Sequence, residues 1–322
     1  MPNIDMPLEE LKKYKGKNER PTDFDDYWGK ALAELDKQGL DYTLEKADFQ
    51  AEGVECYHLY FTGVGNARIH AKLVKPASTE KPCPVVLMFH GYHGHSGDWF
   101  DKVTYAKFGF VVAALDVRGQ GGLSEDSILV QGETLEGHII KGLDDSDPQK
   151  LFFRSVYLDT AQLARIVLSL PYTDEARAGA TGGSQGGALT IACASLEPRI
   201  KLACPIFPFL TDYRRVWEDM DINASAYKEI KSFFRQRDPL HRRQDEIFTK
   251  LGYIDLHHLA VRIKTKLVMF TGLSDLICPP STQFALYNNL TCEKEMFIYP
   301  DHGHEFLPEA GDTILSRMLT EL

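Results

Sequence analysis

A doubly wound, mostly parallel α/β sheet, preceded by antiparallel strands and interrupted by a helical, cap-like insertion, is the architecture this sequence predicts. Three observations carry that expectation. Pro84 to Phe89 (PVVLMF) and Phe110 to Leu115 (FVVAAL) are continuous apolar runs, as strands covered on both faces require. Lys201 to Ile206, Leu267 to Phe270 and Met296 to Tyr299 read the same way, and helical stretches fall between them, the alternation of a parallel sheet. Finally, Gly182, Gly183, Ser184, Gln185 and Gly186 set a serine between glycines where a small-residue strand, Arg177 to Thr181, gives way to an apolar helical run, Ala188 to Ser195.

From the N-terminus, Thr22 with Asp25 three residues on opens an amphipathic helix to about Lys37, with Tyr27, Trp28, Leu32 and Leu35 on its apolar side. Residues 1–40 thus form a helical extension. Val54 to Phe61 is rich in β-branched and aromatic residues, TGVGN supplies a turn, and Ala67, Ile69, Ala71 and Leu73 alternate with Arg68, His70 and Lys72. That pattern predicts an antiparallel edge pair with one buried face. Arg118 to Lys150 has no clear period, and connections of that length are usually functional or mobile. Leu163, Ile166, Val167 and Leu170 keep helical spacing, and Asp312 to Leu322 closes the chain as a helix. Thr211 to His258 is polar, aromatic and helical in character, with Trp217, Tyr227, Phe233 and Phe234, and lies between two sheet strands as an inserted cap would. No linker sets it apart, so residues 1–322 read as a single domain with 211–258 inserted.

Composition bounds the function. With 43% hydrophobic and 25% charged residues the chain is an ordinary globular protein, and its net charge of -10 argues against a partner held by phosphate contacts, whether nucleic acid or an anionic membrane. No stretch has signal-peptide or membrane-span length, which predicts a cytoplasmic protein. Six cysteines without a C-x-x-C pair predict reduced, mostly buried thiols.

The glycine-bracketed serine has the form of a nucleophile elbow, a turn so sharp that only hydrogen fits at its flanks. A serine hydroxyl needs a histidine base, and the histidine needs a carboxylate to fix its tautomer. Both follow in the expected order. Asp275 lies in GLSDLICPP directly after Leu267 to Phe270, and His304 lies in PDHGHE directly after Met296 to Tyr299. His302 competes with His304, but Gly303 gives the loop freedom to bring His304 back over the serine. Backbone N–H groups of Gln185 and of Tyr92, in the loop after Phe89, are the expected oxyanion donors. The rival reading is a metallo-hydrolase: His90, His93, His95 and Asp98 cluster in HGYHGHSGD, but Trp99 stands where a final histidine ligand belongs. No metal or cofactor is therefore expected.

Arg118, Gly119 and Gln120 (RGQ), GGSQG around Ser184, and His304 with Glu305, in that order and with the intervening GHIIKGLDD and FFRSVYLDT, resemble the acetyl xylan esterases and cephalosporin C deacetylases of carbohydrate esterase family seven. The resemblance runs over nearly the whole chain. It implies an α/β-hydrolase fold and a metal-independent serine deacetylase acting on small acetylated sugars and cephalosporin C. It also implies a cytoplasmic ring-like hexamer with active sites facing an inner cavity. Ser184 would be the nucleophile, Asp275 the acid, His304 the base, Tyr92 and Gln185 the oxyanion donors, and Arg118 and Gln120 structural ties. The Tyr92 ring would pack over the acyl group and leave room for a methyl, while aromatic residues of the insertion would stack on the sugar. Another serine acyl hydrolase or a peptidase of the same fold, or a non-catalytic scaffold, are the alternatives.

Overall fold

The apolar runs become strands because their alternate residues feed two different layers. In the computed structural model, which describes residues 4–129 and 137–322, the strands are β1 (Tyr42–Lys46), β2 (Val54–Thr62), β3 (Arg68–Pro76), β4 (Cys83–Phe89), β5 (Val111–Leu115), β6 (Thr173–Gly183), β7 (Leu202–Ile206), β8 (Lys266–Gly272) and β9 (Lys294–Tyr299). They form one sheet in the order β1-β2-β3-β5-β4-β6-β7-β8-β9. The first three strands pair antiparallel and β3 meets β5 antiparallel, while every pairing from β5 to β9 is parallel. Val85, Leu87, Val111 and Ala113 point into the larger core, whereas Val86, Val112, Cys204 and Val268 point into a second cluster on the opposite face. Period-two side-chain alternation thus puts apolar groups on both faces of one strand, which is why these runs show no polar gaps.

The helices are α1 (Leu8–Leu11), α2 (Phe24–Lys37), α3 (Phe100–Lys107), α4 (Phe152–Leu168), α5 (Gln185–Leu196), α6 (Tyr213–Asp219), α7 (Lys228–Arg237), α8 (Gln244–Gly252), α9 (Leu256–Leu259), α10 (Pro280–Asn289) and α11 (Ala310–Glu321). Every residue of α5, and every residue of α4 except Arg165, is buried. α5 has no polar side and is a core helix, while α4 is amphipathic and buries its polar residues with partners, Asp159 against Arg118. On the opposite face, Ala310, Ile314 and Met318 of α11 close the second cluster. The insertion between β7 and β8 is built from α6 to α9, and its Phe233, Phe234, Ile247 and Leu251 join the same core as α4 and α5. None of the helices among the described residues is long and apolar enough to cross a membrane.

Several expectations shift here. β1 was not expected: it is a five-residue edge strand whose side chains are mostly exposed, so it leaves no apolar signal. Its presence means that β2 and β3 are not an edge pair. Nor does β3 have only one buried face, because His70 is fully buried, held by Asp116 at 2.6 Å and His58 at 2.8 Å. The helix expected from Thr22 begins at Phe24, with Asp23 in the cap position and no side-chain cap bond. Of the long connection from Arg118 to Lys150, residues 130–136 lie outside the described residues. The six cysteines are unpaired, and five of them are buried.

Buried ionic ties fasten the loops. The Arg118 guanidinium donates from Nε and Nη2 to both oxygens of Asp159, each at 2.7 Å, and reaches the Val64 carbonyl at 3.2 Å. This fork binds the loop after β5 to α4 and to the turn before β3. Asp212, ahead of α6, accepts from the Tyr14 hydroxyl at 2.7 Å and from the amides of Lys17 and Asn18 at 3.0 and 2.9 Å, so the N-terminal segment is anchored to the insertion. Removing one member of a buried pair strands a charge, and Asp159→Ala should therefore destabilise the protein by about 3–5 kcal/mol, read as a lower denaturant midpoint. An unchanged midpoint would mean that the pair holds nothing together.

Candidate active site

The site forms where β6 turns into α5. Ser184 is the residue between them and sits at φ 59°, ψ -119°, a conformation that side-chain-bearing residues adopt only when their surroundings hold them there. Its amide donates to the Ile206 carbonyl at 3.0 Å, and its carbonyl accepts from the Phe209 and Ala188 amides at 3.1 and 3.0 Å. The glycines are needed for contact. A Cβ on Gly182 or Gly186 would stand 2.4 or 2.1 Å from the Phe89 carbonyl oxygen, and one on Gly187 would stand 2.5 Å from that of Ile206. Side chains there would push the elbow off the ends of β4 and β7.

Asp275 and His304 arrive on the loops after β8 and β9. Asp275 is fully buried, and its Oδ1 accepts from the amides of Ile277 and Cys278, both at 2.8 Å. Its Oδ2 lies 2.9 Å from His304 Nδ1. With Nδ1–H donating to the carboxylate, Nε2 is left as an acceptor. The His304 ring packs on Phe207, centroids 4.4 Å apart. His302 takes another part: its ring lies against Tyr299, and its carbonyl accepts from the Ser274 amide at 2.9 Å. Ser184 and His304 both line a cavity of about 640 Å³, together with Gly91, Tyr92, Glu229 and Ile277.

A buried thiol stands beside Asp275 and His304. Cys278 Sγ, an Asp275 oxygen and a His304 nitrogen lie within 4.8 Å of one another. Burial, with the Asp275 charge adding to it, raises this thiol well above its ordinary pKa, so it stays protonated and is no rival nucleophile.

Gln185 is the first residue of α5, where a backbone N–H has no intrahelical acceptor. Tyr92 lies in the loop after β4. Neither amide donates to another backbone group among the described residues outside the regular elements. Gln120 joins the two. Its side-chain amide pairs reciprocally with that of Gln185, at 2.7 and 3.0 Å, and its Oε1 also accepts from the His93 amide at 2.9 Å. The loops after β4 and β5 are thus held to the start of α5.

The histidine-rich loop is spent on local bonds. His90 Nδ1 contacts the Gly91 carbonyl at 2.7 Å, its Nε2 accepts from the Val117 amide at 2.9 Å, and burial lowers its pKa. His95 accepts from the Gly97 amide, and His93 stacks on Tyr92 at 4.1 Å. The insertion also departs from expectation. Tyr227, Phe233 and Phe234 are fully buried in the core, and Trp217 packs on Phe234 at 4.8 Å, so these rings do not face the cavity. The insertion lines it instead with Asn223, Ser225, Lys228, Glu229 and Ser232. The spacing that makes rings look available is the spacing that buries them: Ile230 and Phe234, like Glu229 and Phe233, are one helical turn apart on the inner side of α7.

Chain order decides the class: a serine after β6, an acid after β8 and a histidine after β9 is the sequence of the α/β-hydrolases. More narrowly, the chain belongs to the acetyl xylan esterase family (AXE1), whose model matches residues 1–320. That membership makes it a carboxylic ester hydrolase. Acetyl xylan esterase 1 from Thermoanaerobacterium sp. JW/SL YS485 is 52% identical and superposes with a TM-score of 0.94 over 98% of each chain. The acetyl xylan esterase from Paenibacillus sp. R4 is 36% identical, with a TM-score of 0.92 over 97% of this chain and 99% of that one. Acetyl esterase Axe7A of Xylanibacter ruminicola is 28% identical over 94% of this chain and 67% of its own length.

The elbow contacts can be tested without reference to catalysis. Gly186→Ala must move the Phe89 carbonyl and should cost about 3 kcal/mol, by the penalty of overpacking. Gly29→Ala, on the open side of α2 with nothing within 4 Å, should instead stabilise by about 0.5–1 kcal/mol. Melting temperatures of the two variants should move in opposite directions, and equal shifts would show that the close approach at Gly186 does not constrain the elbow.

Proposed function

We propose that this protein is a serine carboxylesterase that removes acetyl groups from small acetylated carbohydrates, xylo-oligosaccharides in particular, and from cephalosporin C. The observation that carries the reading is the 2.9 Å bond from His304 Nδ1 to a fully buried Asp275, on a cavity shared with Ser184. Oriented by Asp275, His304 Nε2 takes the Ser184 proton as Oγ attacks the ester carbonyl. The oxyanion is received by the backbone N–H groups of Tyr92 and Gln185. His304 then returns the proton to the departing sugar hydroxyl, leaving an acetyl-serine. Water, deprotonated by the same imidazole, attacks that ester, and the imidazolium returns the proton to Ser184 Oγ as acetate departs. The base is a side chain of this protein, so no step in this scheme calls for a metal.

The cavity supports a division of labour. Tyr92, beside the oxyanion donor, bounds the acyl side, while Asn223, Ser225, Lys228 and Ser232 offer hydrogen bonds to a sugar on the other. We place the protein in the cytoplasm as a homo-oligomer, a hexamer by family resemblance; five buried, unpaired cysteines fit a reducing compartment.

Ser184→Ala should lower kcat by roughly 10⁶-fold with folding intact, as for other triad serines. His304→Asn should abolish turnover while His302→Asn largely spares it; the reverse result would reassign the base. On esters of one alcohol, kcat/KM should fall about tenfold or more from acetyl to butyryl, because each added methylene overpacks the Tyr92 wall. Equal values for acetyl and octanoyl esters would overturn the acyl half of this reading.

A further inference from the structure

Glu229 is a buried acid with a position on the cavity wall that the scheme above does not use. It lies in the first turn of α7, is 5% exposed, and faces the loop after β4. The Tyr92 hydroxyl donates to its Oε1 at 2.6 Å, and its Oε2 accepts from the Ile139 amide at 2.9 Å. The same hydroxyl accepts from the His138 amide at 2.9 Å. Three segments distant in sequence therefore meet on one phenol and one carboxylate. Gly137 is kept at φ 112°, and a Cβ there would come within 2.2 Å of Glu229 Oε2, so the segment from 137 to 139 closes directly over the acid.

A short bond from a neutral phenol to a buried carboxylate is charge-assisted and directional. Burial, and after it the Glu229 charge, raise the Tyr92 pKa, which keeps the proton on the phenol as the donor. Other rings surround the phenol: His93 at 4.1 Å, His138 at 5.5 Å, Phe209 at 5.6 Å and Phe153 at 6.5 Å. His138 is itself pushed down to about 4 by burial, so it serves as a neutral wall. These contacts limit where the ring can lie, and the hydroxyl bond selects one attitude among those left.

We infer that Glu229 is a positioning residue for ester hydrolysis: it holds the Tyr92 ring in the attitude that confines the acyl chain, which makes the insertion a determinant of acyl length. The inference rests on the esterase reading above. It assigns the insertion a part on the acyl side, through α7, besides the polar surface it offers to the alcohol.

The test compares kcat/KM for acetyl and butyryl esters of one alcohol in the full-length enzyme. In Glu229→Ala the acetyl preference should shrink about tenfold, chiefly through better use of the butyryl ester, since relaxing the ring removes the overpacking of a longer chain. Glu229→Gln, which keeps one carbonyl acceptor for two donors, the Tyr92 hydroxyl and the Ile139 amide, should fall between the parent and Glu229→Ala. Tyr92→Phe removes only the hydroxyl and should loosen selectivity as Glu229→Ala does; it decides the matter if the alanine variant does not fold. A merely structural role would lower both substrates together and leave their ratio unchanged. A ratio within twofold of the parent in folded Glu229→Ala or Tyr92→Phe would overturn the inference while leaving the esterase reading intact. A parent enzyme that hydrolyses neither ester would overturn the esterase reading, and this inference with it.

Discussion

The backbone contact between α5 and the end of β4 is the constraint on which the site depends. Gly182 and Gly186 press against the Phe89 carbonyl, and Ser184 between them holds a left-handed φ that costs on the order of 1–3 kcal/mol in isolation. Such a conformation survives because the residues around it allow no other. The Ile206, Phe209 and Ala188 backbones fix the Ser184 peptide on both sides, and the twelve buried residues of α5 anchor its carboxyl side in the core. Neighbouring positions share this character. His93, Phe207, Leu210 and Asp212 also have positive φ without being glycine, and all lie in the loops after β4 and β7. Strain is concentrated at the carboxyl edge of the sheet, where Ser184 and His304 are displayed.

Around that edge, polar contacts do what packing cannot. Loops bury little apolar surface, so their positions are set by buried carboxylates and amides with several partners each. Asp159 holds Arg118, Asp116 gathers His70 with the amides of Ser96 and Leu123, and Gln120 couples the loop after β4 to Gln185. At Asp116 three donors outweigh the desolvation that burial imposes and lower its pKa, whereas at Asp159 burial outweighs the Arg118 fork and raises it.

Much of this was legible in the sequence, for identifiable reasons. The central strands announce themselves through unbroken apolar runs, and the elbow through its glycines, because burial on two faces and a close backbone approach each restrict residue type severely. Asp275 and His304 are identified by chain order rather than by any local signature. The features that leave no local signal depend on partners far along the chain. β1 exists only because β2 offers it an edge, and His70 is buried only because Asp116, forty-six residues later, satisfies it. The rings of α7 look available to a sugar because helical spacing says that residues share a side without saying which way that side faces. A weak signal for Glu229 was present: it stands one turn before Phe233, and an acid on an apolar helix face needs a buried partner.

The cavity is walled unequally, and this bears on how such an enzyme changes over evolutionary time. Behind Tyr92 stand Phe153, Phe209 and Glu229, all nearly or fully buried and each committed to the core or to another loop. Across from them Asn223, Lys228 and Ser232 are exposed and have few structural obligations. Substitutions at exposed positions generally alter stability by less than about 0.5 kcal/mol, whereas those in a packed wall cost several times that. On the esterase reading, new sugars can be accommodated by ordinary drift at the rim. A new acyl group requires prior gains in stability, so acceptor range should diversify within this architecture long before the ester it cleaves does.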